Sequence, residues 1–242
     1  MKPMSGLTAL LIALSLLPVC ATAGSGGMLS GSGNVVEDVR ELTGFSALVL
    51  RAPVDVTLKA AEAERVTLRG DDNLLPLIET KVVDGRLEIG TRRGAWSSLR
   101  RPIRATVEFK RIDAIRIAGA GDVRADTIRT PVLEIVIRGS GDVRIDQIEA
   151  DALAVSVAGS GDLIARGRAA KVGVVIEGSG DVDIAGVEAK QAAIRIQGSG
   201  DVKVHATDFL DAESVGSGDV RYRGAPQVRK TQRGSGTVAP MN

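Results

Sequence analysis

Aromatic residues make up only 2% of this 242-residue chain, and it has one cysteine (Cys20), one histidine (His205) and one tryptophan (Trp96). With no second cysteine, no disulfide can staple the fold, and no His/Cys set offers a zinc-type ligand pattern. A phosphate-binding Gly-Lys loop and a G-x-S-x-G elbow are both missing. Net charge is almost missing too, since 31 Lys and Arg stand against 30 Asp and Glu. That balance argues against nucleic acid as a partner, because the phosphate backbone selects a strongly basic surface. With so few rings, the interior has to be lined by Val, Ile and Ala, as in a narrow β-coil.

What the chain does have is glycine at a fixed interval. Gly119-Ala120-Gly121-Asp122 is followed by Gly-Ser-Gly-Asp at 139–142, 159–162, 178–181, 198–201 and 216–219, and by a partial echo, Gly234-Ser235-Gly236. A period near twenty residues points to a solenoid. Two and four residues before each first glycine stand Ile115/Ile117, Ile135/Ile137, Val155/Val157, Val174/Ile176, Ile194/Ile196 and Ala212/Ser214, while the residues between them vary freely. After each Asp the alternation resumes, as in Val123/Ala125, Val143/Ile145 and Val202/Val204. Period-2 alternation marks strands with one buried face. The expected fold is all-β: a right-handed parallel β-helix, or β-solenoid, with coils of about 20 residues whose branched side chains form internal ladders. Glycine suits the corner because it tolerates φ > 0 and close backbone approach. Asp beside it can accept a hydrogen bond from an N–H of the same turn.

The chain begins with Lys2, an apolar run from Leu7 to Leu17 and a small-x-small site at Ala21-Thr22-Ala23. Residues 1–23 therefore read as a secretory signal peptide, too short for a transmembrane span. The rival is lipid anchoring at Cys20, where Val19 is a poor fit because the preceding residue should be small. Cleavage after Ala23 removes Lys2 and leaves 30 basic against 30 acidic residues and no cysteine. Residues 24–34 are glycine- and serine-rich and read as a flexible segment. Residues 35–224 read as a single solenoid domain, less regular before 110, with Asp84-Gly85 as a hairpin turn or tight corner and 71–78 as a turn with one helical turn. Between 92 and 104 lie Trp96 and the arginines 92, 93, 100 and 101, read as a solvated loop with Trp96 folded onto the solenoid or, alternatively, as a platform for an anionic glycan or lipid. Phe209 and Tyr222 read as cap or late-core residues, and 225–242 as a polar, basic C-terminal tail.

The most tempting chemistry is the line formed by Asp122, Asp142, Asp162, Asp181, Asp201 and Asp219. Carboxylates about 4.8 Å apart attract cations, and calcium takes oxygen ligands. Calcium-binding β-rolls, however, use nine-residue repeats, so these aspartates read first as turn residues. An acid pair of the kind polysaccharide enzymes use needs one locus where two pKa values are pushed apart, whereas these carboxylates recur in every coil. His205 falls at an outward-looking position with no unique partner. No catalytic, cofactor-binding or metal-ligating residue is assigned, and no cofactor is expected.

The opening Gly31-Ser32-Gly33-Asn34-Val35, Gly44-Phe45, Asp55-Val56, Asp72-Asn73-Leu74, Asp84-Gly85-Arg86-Leu87 and the repeated Gly-Ser-Gly-Asp-Val with its closing Gly234-Ser235-Gly236 together resemble a bacterial family, the "putative auto-transporter adhesin, head GIN domain". The resemblance covers roughly 35–236. It implies an exported β-solenoid of Gram-negative bacteria, in the periplasm or cell envelope or secreted, and it carries over no catalytic residue. No series of aromatic-girdled membrane strands follows residue 224, so autonomous surface display is not expected. The expected function is non-enzymatic: an adhesin-like scaffold that binds an envelope glycan, lipopolysaccharide or protein and has no transmembrane segment after processing. The alternatives are a polysaccharide-active β-helix enzyme and a structural protein that self-associates end to end or laterally.

Overall fold

A computed structural model describes residues 30–92 and 103–241. Its strands in chain order are β1 (Val35–Arg40), β2 (Ala47–Leu50), β3 (Val54–Ala60), β4 (Arg65–Asp71), β5 (Ile78–Val83), β6 (Arg86–Thr91), β7 (Ile103–Phe109), β8 (Ala114–Ile117), β9 (Val123–Ile137), β10 (Val143–Val157), β11 (Leu163–Gly178), β12 (Val182–Gly198), β13 (Val202–Gly216), β14 (Val220–Arg223), β15 (Gln227–Gly234) and β16 (Val238–Pro240). The long strands β9 to β13 pair in parallel, each with the equivalent strand of the next coil, as in Val143↔Val123 and Val143↔Leu163. The protein is a β-solenoid, as the repeat predicts.

Side-chain alternation shows where each coil bends. In β9 the inward positions are Val123 and Ala125, then Ile128 and Thr130, then Leu133, Ile135 and Ile137. The period slips at 126–127 and again at 131–132, so a coil has two bends besides its glycine corner. Three walls result: one preceding the glycine phrase (133–137 and equivalents), one following it (123–125) and one closing the loop (128–130). The predicted ladders are buried throughout, from Ile115 and Ile117 up to Ala212 and Ser214. Stacking these branched side chains coil upon coil removes apolar surface that no single strand could bury alone.

The shorter coils lose residues at the bends and leave the ladders intact. Between β10 and β11 the register slips after Ile145 so that Ile148 faces Gly167, and a Cβ at Gly167 would lie 2.1 Å from the Ile148 carbonyl oxygen. The turn there is tighter than a side chain allows.

The first half of the chain starts the solenoid and covers its end. β2 pairs in parallel with β6 on one side and β8 on the other, and β3 likewise lies between β7 and β9. Antiparallel strands extend this end: β5 joins β6, β4 joins β7, and β1 joins β4. Asp84 (φ 48°) and Gly85 (φ 70°) form the β5–β6 hairpin turn, the paired positive φ values that a two-residue turn of this hand requires. The helical turn read in 71–78 is a 3-10 turn at Leu75–Leu77.

Two expectations about the ends are corrected. The segment read as a tail from 225 is, as far as 241, not one: β15 runs parallel to β13 and β16 parallel to β14, adding one more coil. Polarity hid this coil, because as the last one it exposes most of β15, and only Val228 and Val238 turn toward the core. The glycine-rich start is fixed where it is described: Ser32 Oγ donates to Asp72 at 2.5 Å, Asn34 Nδ2 donates to Asp72 at 2.9 Å, and the Ser32 N–H donates to Asn73 at 3.0 Å. Residues 24–29 lie outside the described residues, as do the signal-peptide segment, Cys20 and Trp96 with Arg93, Arg100 and Arg101.

Candidate functional site

Each glycine corner stacks directly on the one before it. A Cβ at Gly141 would stand 2.2 Å from the carbonyl oxygen of Gly121, and one at Gly139 would stand 2.1 Å from that of Gly119. The same clash recurs up to Gly234 and Gly236, so close approach is what demands both glycines of the phrase.

The aspartates form a line, but their bonds run between coils and not within a turn. Oδ1 of Asp122 accepts from the N–H of Asp142, Asp142 from Asp162, Asp162 from Asp181, Asp181 from Asp201 and Asp201 from Asp219, at 2.8–3.0 Å. The sequence reading placed the acceptor role correctly and the donor one coil too early. At the end of the line Asp219 accepts from both the N–H (2.8 Å) and the hydroxyl (2.9 Å) of Thr237, and these bonds hold its carboxyl below the usual carboxylate range. Each carboxylate thus already has a structural task in its ladder. Among the described residues no cluster of three or more His, Cys, Asp or Glu is placed to hold a metal ion.

The walls differ in what they present outward. The wall after the phrase carries Arg124, Arg144, Asp183, Lys203 and Arg221, interrupted by one exposed apolar residue, Ile164, with Lys203 and Asp183 3.7 Å apart. On the closing wall Glu149 lies between Arg129 (3.1 Å) and Arg168 (3.5 Å). His205 is half-buried there, in register with Glu188. Phe209 and Tyr222 are both partly exposed in the late coils, and Tyr222 packs against the core.

The wall before the phrase is different. Register places Ala154, Gly173 and Ala193 in one outward row and Val136, Ser156 and Val175 in the next. These small residues floor a lateral trough of about 400 Å³. Ion pairs fence it: Arg116 with Glu134 at one end, Arg195 with Glu213 (3.1 Å) and Arg229 with Asp211 (3.0 Å) at the other. Beside its N-terminal end, and sharing Val136, a second depression of about 340 Å³ is lined by Arg51, Arg86, Arg116 and Arg138 with Glu88. A hydrogen bond from Arg51 draws the Glu88 carboxyl below its ordinary value, against a smaller opposing effect of burial. Sequence reading missed this wall because its outward residues looked freely variable. The missed signal was that four successive coils put Val136, Ala154, Ser156, Gly173, Val175 and Ala193 where the other walls put charges.

A coil of this length, repeated in parallel with glycine corners, defines an all-β solenoid. Residues 44–226 match the family described as "Putative auto-transporter adhesin, head GIN domain", and the chain belongs to that family. Solved structures share the fold. A putative adhesin from Bacteroides fragilis superposes with a TM-score of 0.84 at 23% identity, over 88% of this chain and 100% of that one. A putative lipid binding protein from Parabacteroides distasonis gives 0.71 at 23% identity, over 89% and 100%. A putative adhesin from Parabacteroides merdae gives 0.69 at 21% identity, over 89% and 99%. No curated protein matches the sequence.

Proposed function

We propose that the protein is an exported, non-enzymatic binding scaffold of the cell envelope that engages its partner through the wall preceding the glycine phrase. Three things support this: the signal-peptide pattern of residues 1–23, the adhesin-like family, and above all the contrast between walls. Two walls present charges, several of them paired across coils, while the third presents an apolar floor inside a fence of ion pairs. A concave apolar surface with a few polar groups at its margin is the usual form of a binding site. The acids at its margin, Glu134, Asp211 and Glu213, each face an arginine, an arrangement suited to shaping a rim. Growth by end-to-end stacking is less well supported, because the terminal edge strand β15 carries Arg229, Lys230 and Arg233, and charge on an edge opposes strand addition.

The test is association of the labelled mature chain with isolated envelope fractions. Saturable binding that unlabelled protein competes away is expected. Association that rises linearly with concentration and resists competition contradicts the reading.

A further inference from the structure

The floor of the trough contains a glycine that the fold does not require. A Cβ at Gly173 would meet nothing within 4 Å, and its φ is not in the left-handed region. It is unlike the corner glycines, where a Cβ would strike backbone. Its missing side chain keeps the floor smooth between Ala154 and Ala193, its register partners in the coils on either side.

The trough crosses the coils instead of running along a strand. Between its charged ends the floor, from Val136 to Ala193, covers four coils, three rung spacings, or roughly 14 Å at about 4.8 Å each. One leaflet of a bilayer, half of a hydrocarbon core about 30 Å thick, is about 15 Å deep, so an extended acyl chain fits along the floor. Charge then decides between occupants. The cations are unevenly placed: the depression has four arginines (51, 86, 116 and 138) against Glu88, with Asp84 pairing Arg86 from outside it, while the trough has Arg195 and Arg229 against Glu134, Asp211 and Glu213. The basic surplus therefore lies in the depression alone. An anionic head group answers it, and Arg138, which makes no ion pair among the described residues, stands where the trough meets the depression.

We propose that this wall binds a membrane-derived anionic amphiphile, with an acyl chain lying over Ala154, Gly173 and Ala193 and its acidic head group at Arg138 and Arg116. This rests on the binding reading above and names its ligand class.

The experiment titrates the mature chain with palmitoyl lysophosphatidylglycerol below its micellar concentration. Glycerol phosphate serves as the head group alone, and palmitoyl lysophosphatidylcholine as the same chain on a zwitterionic head. Saturable binding of the first is expected, at least 5-fold weaker binding of the zwitterion, and none of the head group alone. Gly173→Leu, which fills the floor, should weaken binding at least 10-fold and Arg138→Glu about 5-fold, while Arg144→Glu on another wall leaves it unchanged. Ala193→Glu is the second blocking variant should Gly173→Leu misfold. Equal binding of both lipids, or full affinity in both trough variants, overturns the proposal. So does a wild-type dimer in sedimentation that Gly173→Leu dissociates, which would assign the wall to a second copy. Saturable envelope association that the trough variants abolish but the lipid does not compete overturns this inference and leaves the binding reading standing; a wild-type chain with no saturable envelope association overturns that reading instead.

Discussion

The N–H of Asp142 donates to Oδ1 of Asp122 at 3.0 Å, one coil earlier, while the carbonyl of the same Asp142 accepts from the N–H of Val123 at 2.8 Å. One residue thus ties two coils together from both sides of its peptide. The aspartate line is a seam of the solenoid, and this accounts for its return at each corner without any catalytic role.

Removing one stitch should therefore be felt locally. Asp162→Ala takes away the acceptor of the Asp181 N–H (2.8 Å) and should cost about 1 kcal/mol, in line with a net protein hydrogen bond. Asp162→Asn keeps an oxygen in place and should cost less. Amide exchange at Asp181 reads the difference, and equal effects of the two variants would contradict the seam.

A corner glycine and a strand glycine should behave in opposite ways. Gly141→Ala drives a methyl to 2.2 Å from the Gly121 carbonyl oxygen, and backbone on backbone has little room to yield. A loss of about 2–3 kcal/mol or more is expected from such overpacking. Gly173→Ala meets open space at an ordinary φ, and restricting the unfolded chain should make it neutral or stabilising by about 0.5 kcal/mol. Denaturant unfolding of the two variants checks the pair.

Acid should loosen the hold of Asp219 on the C-terminal coil. Bonds from the N–H and hydroxyl of Thr237 lower its folded-state pKa, so the unfolded chain takes up the proton first as pH falls. The stabilisation is then complete above the unfolded value of about 3.9 and fades as pH drops from there through the lower folded value. Thr237→Val removes the hydroxyl and keeps the N–H, so Asp219 should titrate closer to an ordinary carboxylate. Carboxyl NMR titration of the two proteins measures this, and identical curves would contradict it.

The coil, its ladders and the β5–β6 turn were legible because each rests on a local rule: alternation for Ile135 and Ile137, a glycine pair for Gly139 and Gly141, and Asp-Gly for the turn. What escaped depends on register between coils. Ala154, Gly173 and Ala193 look unremarkable in their own repeats and form a strip only when the coils are stacked. The donor to each Asp was misplaced for the same reason, since its partner lies 18 to 20 residues away. The last coil escaped because β15 pairs through its backbone, which Arg229, Lys230 and Arg233 do not reveal.

The central claim, that one wall binds and the others do not, is tested most directly by single-cysteine labelling. The mature chain predicted by cleavage after Ala23 has no cysteine of its own, so Ala193→Cys on the trough floor and Arg144→Cys on the next wall can each report alone. Both positions are exposed. With a saturating envelope fraction, thiol labelling at 193 should slow at least 5-fold while labelling at 144 is unchanged. Equal protection at both sites, or protection at 144 alone, would contradict the assignment of the binding wall.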